Sequence, residues 1–322
     1  MPIRRTVLAA LASTLVSAAA LLGPPAQAQA QTPAAVGDAD LAYRWAPIHY
    51  QDTSSAYYTA DYLAPVNYDG DWNTLNNWDD LDADTAHLTG TVYYSVVETS
   101  TDWYLTYAFF HPRDWKDYPL DIFSHENDME GQLEVVHKDG STYGTLRAVV
   151  TLAHDNFYSY VPAGSPYTDG RENIDGSLIL QTYDGAQHPT SFQEDRGHGA
   201  YAWDGSGFPG GDGIVYYPSR GAGSVPTGGN DRQASYRLVD IFSGDGLWSR
   251  RNNAETYHSW GTFAGDNGED NAAHAPWAWD DTNDGSDLPA GTIATDPAYL
   301  ISQYFGNTAP LSLGYTRDTY RQ

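Results

Sequence analysis

Between Tyr107 and Gly131 the chain reads YAFFHPRDWKDYPLDIFSHENDMEG, placing Asp114, Asp117 and Asp121 in a loop and His125, Asp128 and Glu130 where a strand resumes. Carboxylates with one imidazole make up the donor set of a divalent-cation site. Asp128 and Glu130 are two residues apart, so an extended backbone points both to one face. His125 lies just before them, where the chain can still bend its ring to the same point. Asp114, Asp117 or Asp121 can add a fourth ligand. Mostly oxygen with one nitrogen suits magnesium, manganese or calcium better than a structural zinc. The competing reading is an acidic surface loop with a chance histidine. A zinc protease is excluded, because His125-Glu126 opens an HExxH but Met129 replaces its second histidine and no helix is predicted there.

Glu194, Asp195 and His198 form a second polar cluster beside Tyr201 and Trp203. If the fold carries this loop to His125, then His198 and Glu194 become candidates for acid–base catalysis, and His198 for an extra ligand. The plainer reading of His198 is a loop histidine bonded to backbone. Asp280-Asp281-Thr282-Asn283-Asp284-Gly285 imitates the opening of a calcium loop, although Gly291 occupies the place of the bidentate glutamate. Asp69-Gly70-Asp71-Trp72-Asn73 reads as a turn, and His154-Asp155, after a strand, as a local structural pair.

The elements that must position these groups are strands. Apolar runs separated by Gly, Asp, Asn and Pro predict an all-β fold, a single-domain antiparallel β-sandwich with long loops. Strands are expected over Gly90–Glu98, Asp102–Phe110, Gly131–Lys138, Gly144–Ala153, Ser177–Thr182, Gly213–Tyr217 and Ser235–Phe242. The second of these is apolar on both faces, as a central strand is. Asp139-Gly140 predicts a two-residue hairpin. Asp204–Asp212 and Gly221–Asp231 are long glycine-rich loops. Asp296 as N-cap, Pro297 as first residue and Gly306 as stop predict one short C-terminal helix.

Residues 1–30 read as a secretory leader: Arg4 and Arg5, then an apolar run from Val7 to Leu22, then Ala-Gln-Ala cleavage sites. That run is short for a bilayer span of roughly 20 residues. A secreted, extracellular chain is expected, with residues 31–40 unstructured, 41–322 as the one domain, and no transmembrane segment. Cysteine is absent, so an ordinary core must supply stability without disulfides. The 42 acidic against 16 basic residues give a formal net charge of −26, and losing Arg4 and Arg5 makes the remainder more acidic. Nucleic acid and anionic bilayers are thereby disfavoured as partners. The 25 Tyr and 10 Trp suit either a β-rich core or the stacking of flat sugar faces.

Two resemblances follow from these residues. Pro112-Arg113-Asp114 after an aromatic strand, followed by His125, Asp128 and Glu130, resembles the heptapeptide region of the necrosis-inducing-protein family of secreted, cytolysin-like proteins. That resemblance implies Asp114, His125, Asp128 and Glu130 as ligands of a divalent cation (magnesium, calcium or manganese). Asn127 and Met129 depart from the family's second histidine and tryptophan. Leu41-Ala42-Tyr43-Arg44-Trp45-Ala46-Pro47-Ile48, with His125 to Glu130 and Arg196 to Tyr201, is similar to the vacuolar-sorting-associated family, which implies a shared β-sandwich. The expected function is cation-assisted recognition of an extracellular glycan or glycolipid head-group by a monomer, with Trp72, Trp78, Trp115, Trp203 and Trp279 as stacking residues. The alternatives are a metal-dependent hydrolase or lyase acting on an extracellular polysaccharide, and an ion that only staples the loop.

Overall fold

The doubly apolar run around Trp103–Phe110 lies near the middle of the fold, because a strand apolar on both faces must be covered on both. The computed structural model describes residues 36–116, 123–283, 288–308 and 310–322. The leader, and Asp117 and Asp121 of the acidic loop, lie outside them. In chain order the strands are β1 Ile48–Asp52, β2 Thr91–Thr99, β3 Asp102–Asp114, β4 His125–His137, β5 Thr145–Ala153, β6 Asn156–Val161, β7 Thr168–Asp169, β8 Ile174–Ser177, β9 Leu180–Tyr183, β10 Ala186–Gln193, β11 Ala200–Ala202, β12 Gly213–Ser219, β13 Ala234–Asp240, β14 Phe305–Gly306 and β15 Tyr315–Arg317. The helices are α1 Asp38–Trp45, α2 Asn77–Asp80, α3 Thr292–Thr295 and α4 Pro297–Tyr304.

Thirteen strands form one curled sheet in the order β11-β10-β1-β12-β13-β2-β3-β4-β5-β6-β8, with β9 paired to β10 and β15 to β2. The sheet is mixed, which corrects the expectation of an antiparallel sandwich. β1 runs parallel to β10, β12 to β13, β13 to β2, and β6 to β8. Parallel neighbours need long crossovers, and residues 220–233, which include the glycine-rich loop Gly221–Asp231, make the one between β12 and β13. The hairpin expectation is also corrected. β4 runs to His137 and β5 starts at Thr145, and Asp139 closes the wider turn by accepting from Ser141 N at 2.8 Å and from the Thr145 hydroxyl.

Two layers cover the sheet. On one side α1 buries Leu41, Ala42 and Trp45, and the Tyr107 hydroxyl donates to the Ala42 carbonyl at 2.7 Å. Residues 38–40, expected to be unstructured, form its first turn. On the other side Trp277 and Trp279 pack with α3 and α4, and Trp279 Nε1 donates to the Met129 carbonyl at 2.9 Å. The predicted C-terminal helix is α4, although Asp296 spends its carboxylate on the Tyr315 hydroxyl, 2.6 Å away, rather than on a cap. No helix among the described residues is long and apolar enough to cross a membrane.

The face of β4 beneath α1 carries a row of polar side chains ending in Glu134, which is fully buried. Gln132 Nε2 donates to one of its oxygens at 2.7 Å, and the other has no partner among the described residues. Burial pushes this carboxyl well above its ordinary range, against the Gln132 bond and the charge of Arg44. The folded protein therefore holds a proton here that the unfolded chain releases near pH 4.5, so stability falls as the pH rises above that value. Glu134→Gln is expected to raise the urea midpoint at pH 7 and to flatten the decline between about pH 5 and 7. An unchanged slope with a lowered midpoint would contradict the assignment.

Candidate cation and ligand cleft

The long β3–β4 pairing sets the first four groups. Asp114 stands opposite His125 and His111 opposite Asp128, so a regular ladder would place the two pairs on opposite faces. Pro112 and Asn127 fall between them, and no pairing joins them. Proline has no N–H to give the ladder, and Asn127 adopts a left-handed φ of 62°. The turn there lets Asp114, His125, Asp128 and Glu130 all line one cleft of about 610 Å³. The Asn127 side chain points away from it, donating to the carbonyls of Thr74 and Ala264 at 3.0 Å each.

Within the cleft each carboxylate has a partner. His125 Nε2 lies 3.3 Å from Asp114 Oδ2, and its Nδ1 donates to the Asn127 carbonyl at 2.7 Å. Glu130 accepts from the backbone N–H of His154 at 2.7 Å and of Ala200 at 2.9 Å. His154 Nε2 lies 2.8 Å from Glu194 Oε1. His198, fully buried, donates from Nδ1 to Asp128 at 2.9 Å and from Nε2 to Asp61 at 3.3 Å, while its ring stacks on His111 at 3.8 Å. His154, His198 and the cleft-lining Asn271 share the left-handed backbone of Asn127. Such strain persists only where surrounding contacts over-determine it, and it concentrates at functional sites.

The electrostatics are those of crowded acids with imidazoles between them. Burial drives the Glu130 carboxyl well above its usual range, and the Asp128 charge adds to this. Burial alone would keep His125 neutral, but its bond to Asp114 and the Asp128 charge outweigh that and raise its pKa to about 9. His198 follows the same logic between Asp128 and Asp61, reaching about 10. His111 is pushed the other way, well below its ordinary value, by burial and by the His198 charge.

All four residues expected as cation ligands thus meet at one cleft. Among the described residues, however, no three His, Asp or Glu side chains converge closely enough to hold an ion as they stand. Two features suit a cation nonetheless. Asp114 Oδ1 is buried without a partner, and Gly197 leaves open the space between His154, Glu194 and Asp114, where a Cβ would come within 3.0 Å of the His154 ring. Carboxylate oxygens with imidazole nitrogen are donors for a hard divalent ion.

Glu194 and His198 do reach the cluster, but His198 is bonded to carboxylates on both nitrogens rather than to backbone. Its partner Asp61 had no signal in the sequence, being brought in by tertiary structure alone. His154, expected to be a local structural residue, belongs to the cluster. It follows β5, whose Leu152 pairs with Gly131, so the pairing of the two strands carries it beside Glu130. Asp69 and Asp71 accept from the backbone N–H groups of Asp71 and Asn73, as turn residues do. Asp280 lines the cleft, while Asp284 and Gly285 of that motif lie outside the described residues. Trp279 packs in the core at 2% exposure and also lines the cleft.

No family model matches the chain, and no curated protein matches it. Solved structures to which it is similar include necrosis-inducing proteins. Necrosis and ethylene inducing protein 2 from the causal agent of cocoa's witches' broom disease is 14% identical over 69% of this chain and 82% of its own, with a TM-score of 0.34. NLPPya in complex with mannosamine is 13% identical over 78% and 88%, with a TM-score of 0.35. The non-toxic HaNLP3 protein is 15% identical over 52% and 70%, with a TM-score of 0.30. The vacuolar-sorting resemblance has no counterpart among these neighbours.

Removing the charge between two buried carboxylates leaves both uncompensated. His198→Gln, measured by urea unfolding of the chelator-treated protein at pH 7, is expected to lose about 3–5 kcal/mol. Because the folded pKa is raised, this stabilisation is complete below pH 6.5 and disappears as the pH climbs through about 10. A variant as stable as the wild type would refute the clamp.

Proposed function

We propose that the chain is a secreted, cation-dependent recognition protein that binds a hydroxyl-rich ligand, a surface glycan or glycolipid head-group, in the acidic cleft. The observation that carries this reading is the meeting of Asp114, His125, Asp128 and Glu130 on one open cleft, with Asp114 Oδ1 buried and unpartnered. Asp114, Asp128 and Glu130 would supply oxygen and His125 nitrogen to magnesium, calcium or manganese. When bound, the ion offers its remaining coordination positions to ligand hydroxyls. The carboxylates then hold it, and the strained turns at Asn127 and His198 fix their positions. A net charge of −26 disfavours nucleic acid and anionic lipid as the ligand.

One observation favours a second reading. His154, with its side chain 46% exposed, faces Glu194 at 2.8 Å on the rim of the cleft, and such a pair can move protons in a polysaccharide hydrolase or lyase. Reducing-end and unsaturated-product assays on polysaccharides, comparing wild type with His154→Ala, separate the two.

Titration of chelator-treated protein with calcium, magnesium and manganese by calorimetry and thermal unfolding tests the cation. A concentration of about 100 times Kd should stabilise the fold by about 2.7 kcal/mol. Asp128→Asn should weaken binding by about tenfold or more, a cost near 1.4 kcal/mol. No heat and no stabilisation with any of the three ions would sink the proposal, and a glycan array run with and without the bound ion tests the ligand class.

A further inference from the structure

The end of β3 serves two pockets. Asp114 faces the acidic cleft, whereas its neighbours Arg113 and Trp115 line a separate pocket of about 360 Å³ together with Tyr57, Ala60, Trp78 and Asp82. We propose that this second pocket is a cation-independent subsite for a neutral pyranose ring. The inference takes its ligand class from the proposed function but uses none of the cleft residues.

Three observations carry it. First, the walls are aromatic and one of them is held out at a cost. Tyr57 is 62% exposed and adopts a φ of 60°, an expensive conformation for a bulky residue. Its ring meets the edge of Trp115 at 5.2 Å between centroids. The Tyr57 carbonyl closes a turn by accepting from the Ala60 N–H at 2.8 Å, and that turn leaves the ring standing on the pocket wall.

Second, the pocket joins a fixed indole wall to an exposed polar rim. Trp115 is only 8% exposed, and its backbone N–H donates to the Arg196 carbonyl at 3.2 Å. Asp82, 71% exposed on the rim, offers carboxylate oxygens to ligand hydroxyls.

Third, the frame is rigid and the charges are already matched. The Trp78 backbone N–H donates to Glu126 Oε1 at 2.7 Å, and Arg113 Nε donates to the Trp78 carbonyl at 2.9 Å. Fixing these walls in advance lowers the ordering cost of binding. Guanidinium groups of Arg113 and Arg196 already lie over Trp78 and Trp115, each at 5.0 Å, so a cationic ligand would meet like charge. Asp82 lies 3.5 Å from Arg113 and would repel an anion. A neutral ring with apolar C–H faces and peripheral hydroxyls answers all three constraints.

The test is titration of the full chain with glucose, galactose, mannose and their β-linked disaccharides, followed by tryptophan fluorescence, with and without EDTA. The expected result is a saturable change, unaffected by EDTA and by Asp128→Asn, and weakened about tenfold by Tyr57→Ala, a surface change that leaves the core intact. Trp78→Ala serves as the second variant and should do the same. No saturable response to any of these sugars overturns the subsite, as does a response that survives both aromatic substitutions. A response abolished by EDTA or by Asp128→Asn also overturns it, because the sugar then sits in the cleft, and the proposed function stands. Cation binding that fails while EDTA-insensitive sugar binding persists removes the cleft reading and leaves this one.

Discussion

Asp114, Asp128 and Glu130 are brought to neighbouring strand ends with little water to screen them, with Glu194 on the rim beside them, and the groups nearby are arranged around that crowding. Like charges so placed repel strongly in a low-dielectric setting. The structure answers with imidazoles set between carboxylates, as His125 beside Asp114 and His198 between Asp128 and Asp61. Backbone N–H groups of His154 and Ala200 do the same for Glu130. A cluster of this kind is tolerable in the fold only while compensating positive charge is present, whether protons or a metal ion. That dependence links the stability of the region to its chemistry.

The crowding is a product of topology. β3 and β4 are long, their pairing fixes which residues face each other, and β5 and β10 deliver His154 and Glu194 from either side. The left-handed residues Asn127, His154 and His198 then re-aim side chains that regular strands would have separated. Asn127 shows the division of labour: its backbone turns the strand toward the cleft while its side chain anchors the 74 and 264 loops behind it.

Local pattern carried a good part of this. The expected strands Gly90–Glu98 and Gly144–Ala153 lie within a residue of β2 and β5, because period-two apolar runs ended by turn residues are a short-range signal. β4 began six residues earlier than its apolar run, since the mostly polar stretch from His125 to Glu130 is strand too, held by its pairing with β3 and not by an apolar pattern. Ser177–Thr182 was divided between β8 and β9. The mixed sheet was not legible, because its parallel pairs join strands brought together by long connections, which no local pattern records. The ligand candidates were legible as a motif. Asp61 and the role of His154 were not, since a turn outside the sheet supplies Asp61 and the register of β4 on β5 sets His154 beside Glu130.

The alternation at Arg113, Asp114 and Trp115 also sets how this region can change over evolutionary time. Inserting or deleting a single residue within β3 would invert its faces, turning the acid toward the aromatic pocket and the indole toward the acidic cleft. Length changes beyond Lys116 leave the alternation untouched. Drift in loop length between the two long strands therefore spares that alternation, while the strand itself admits substitutions but not indels.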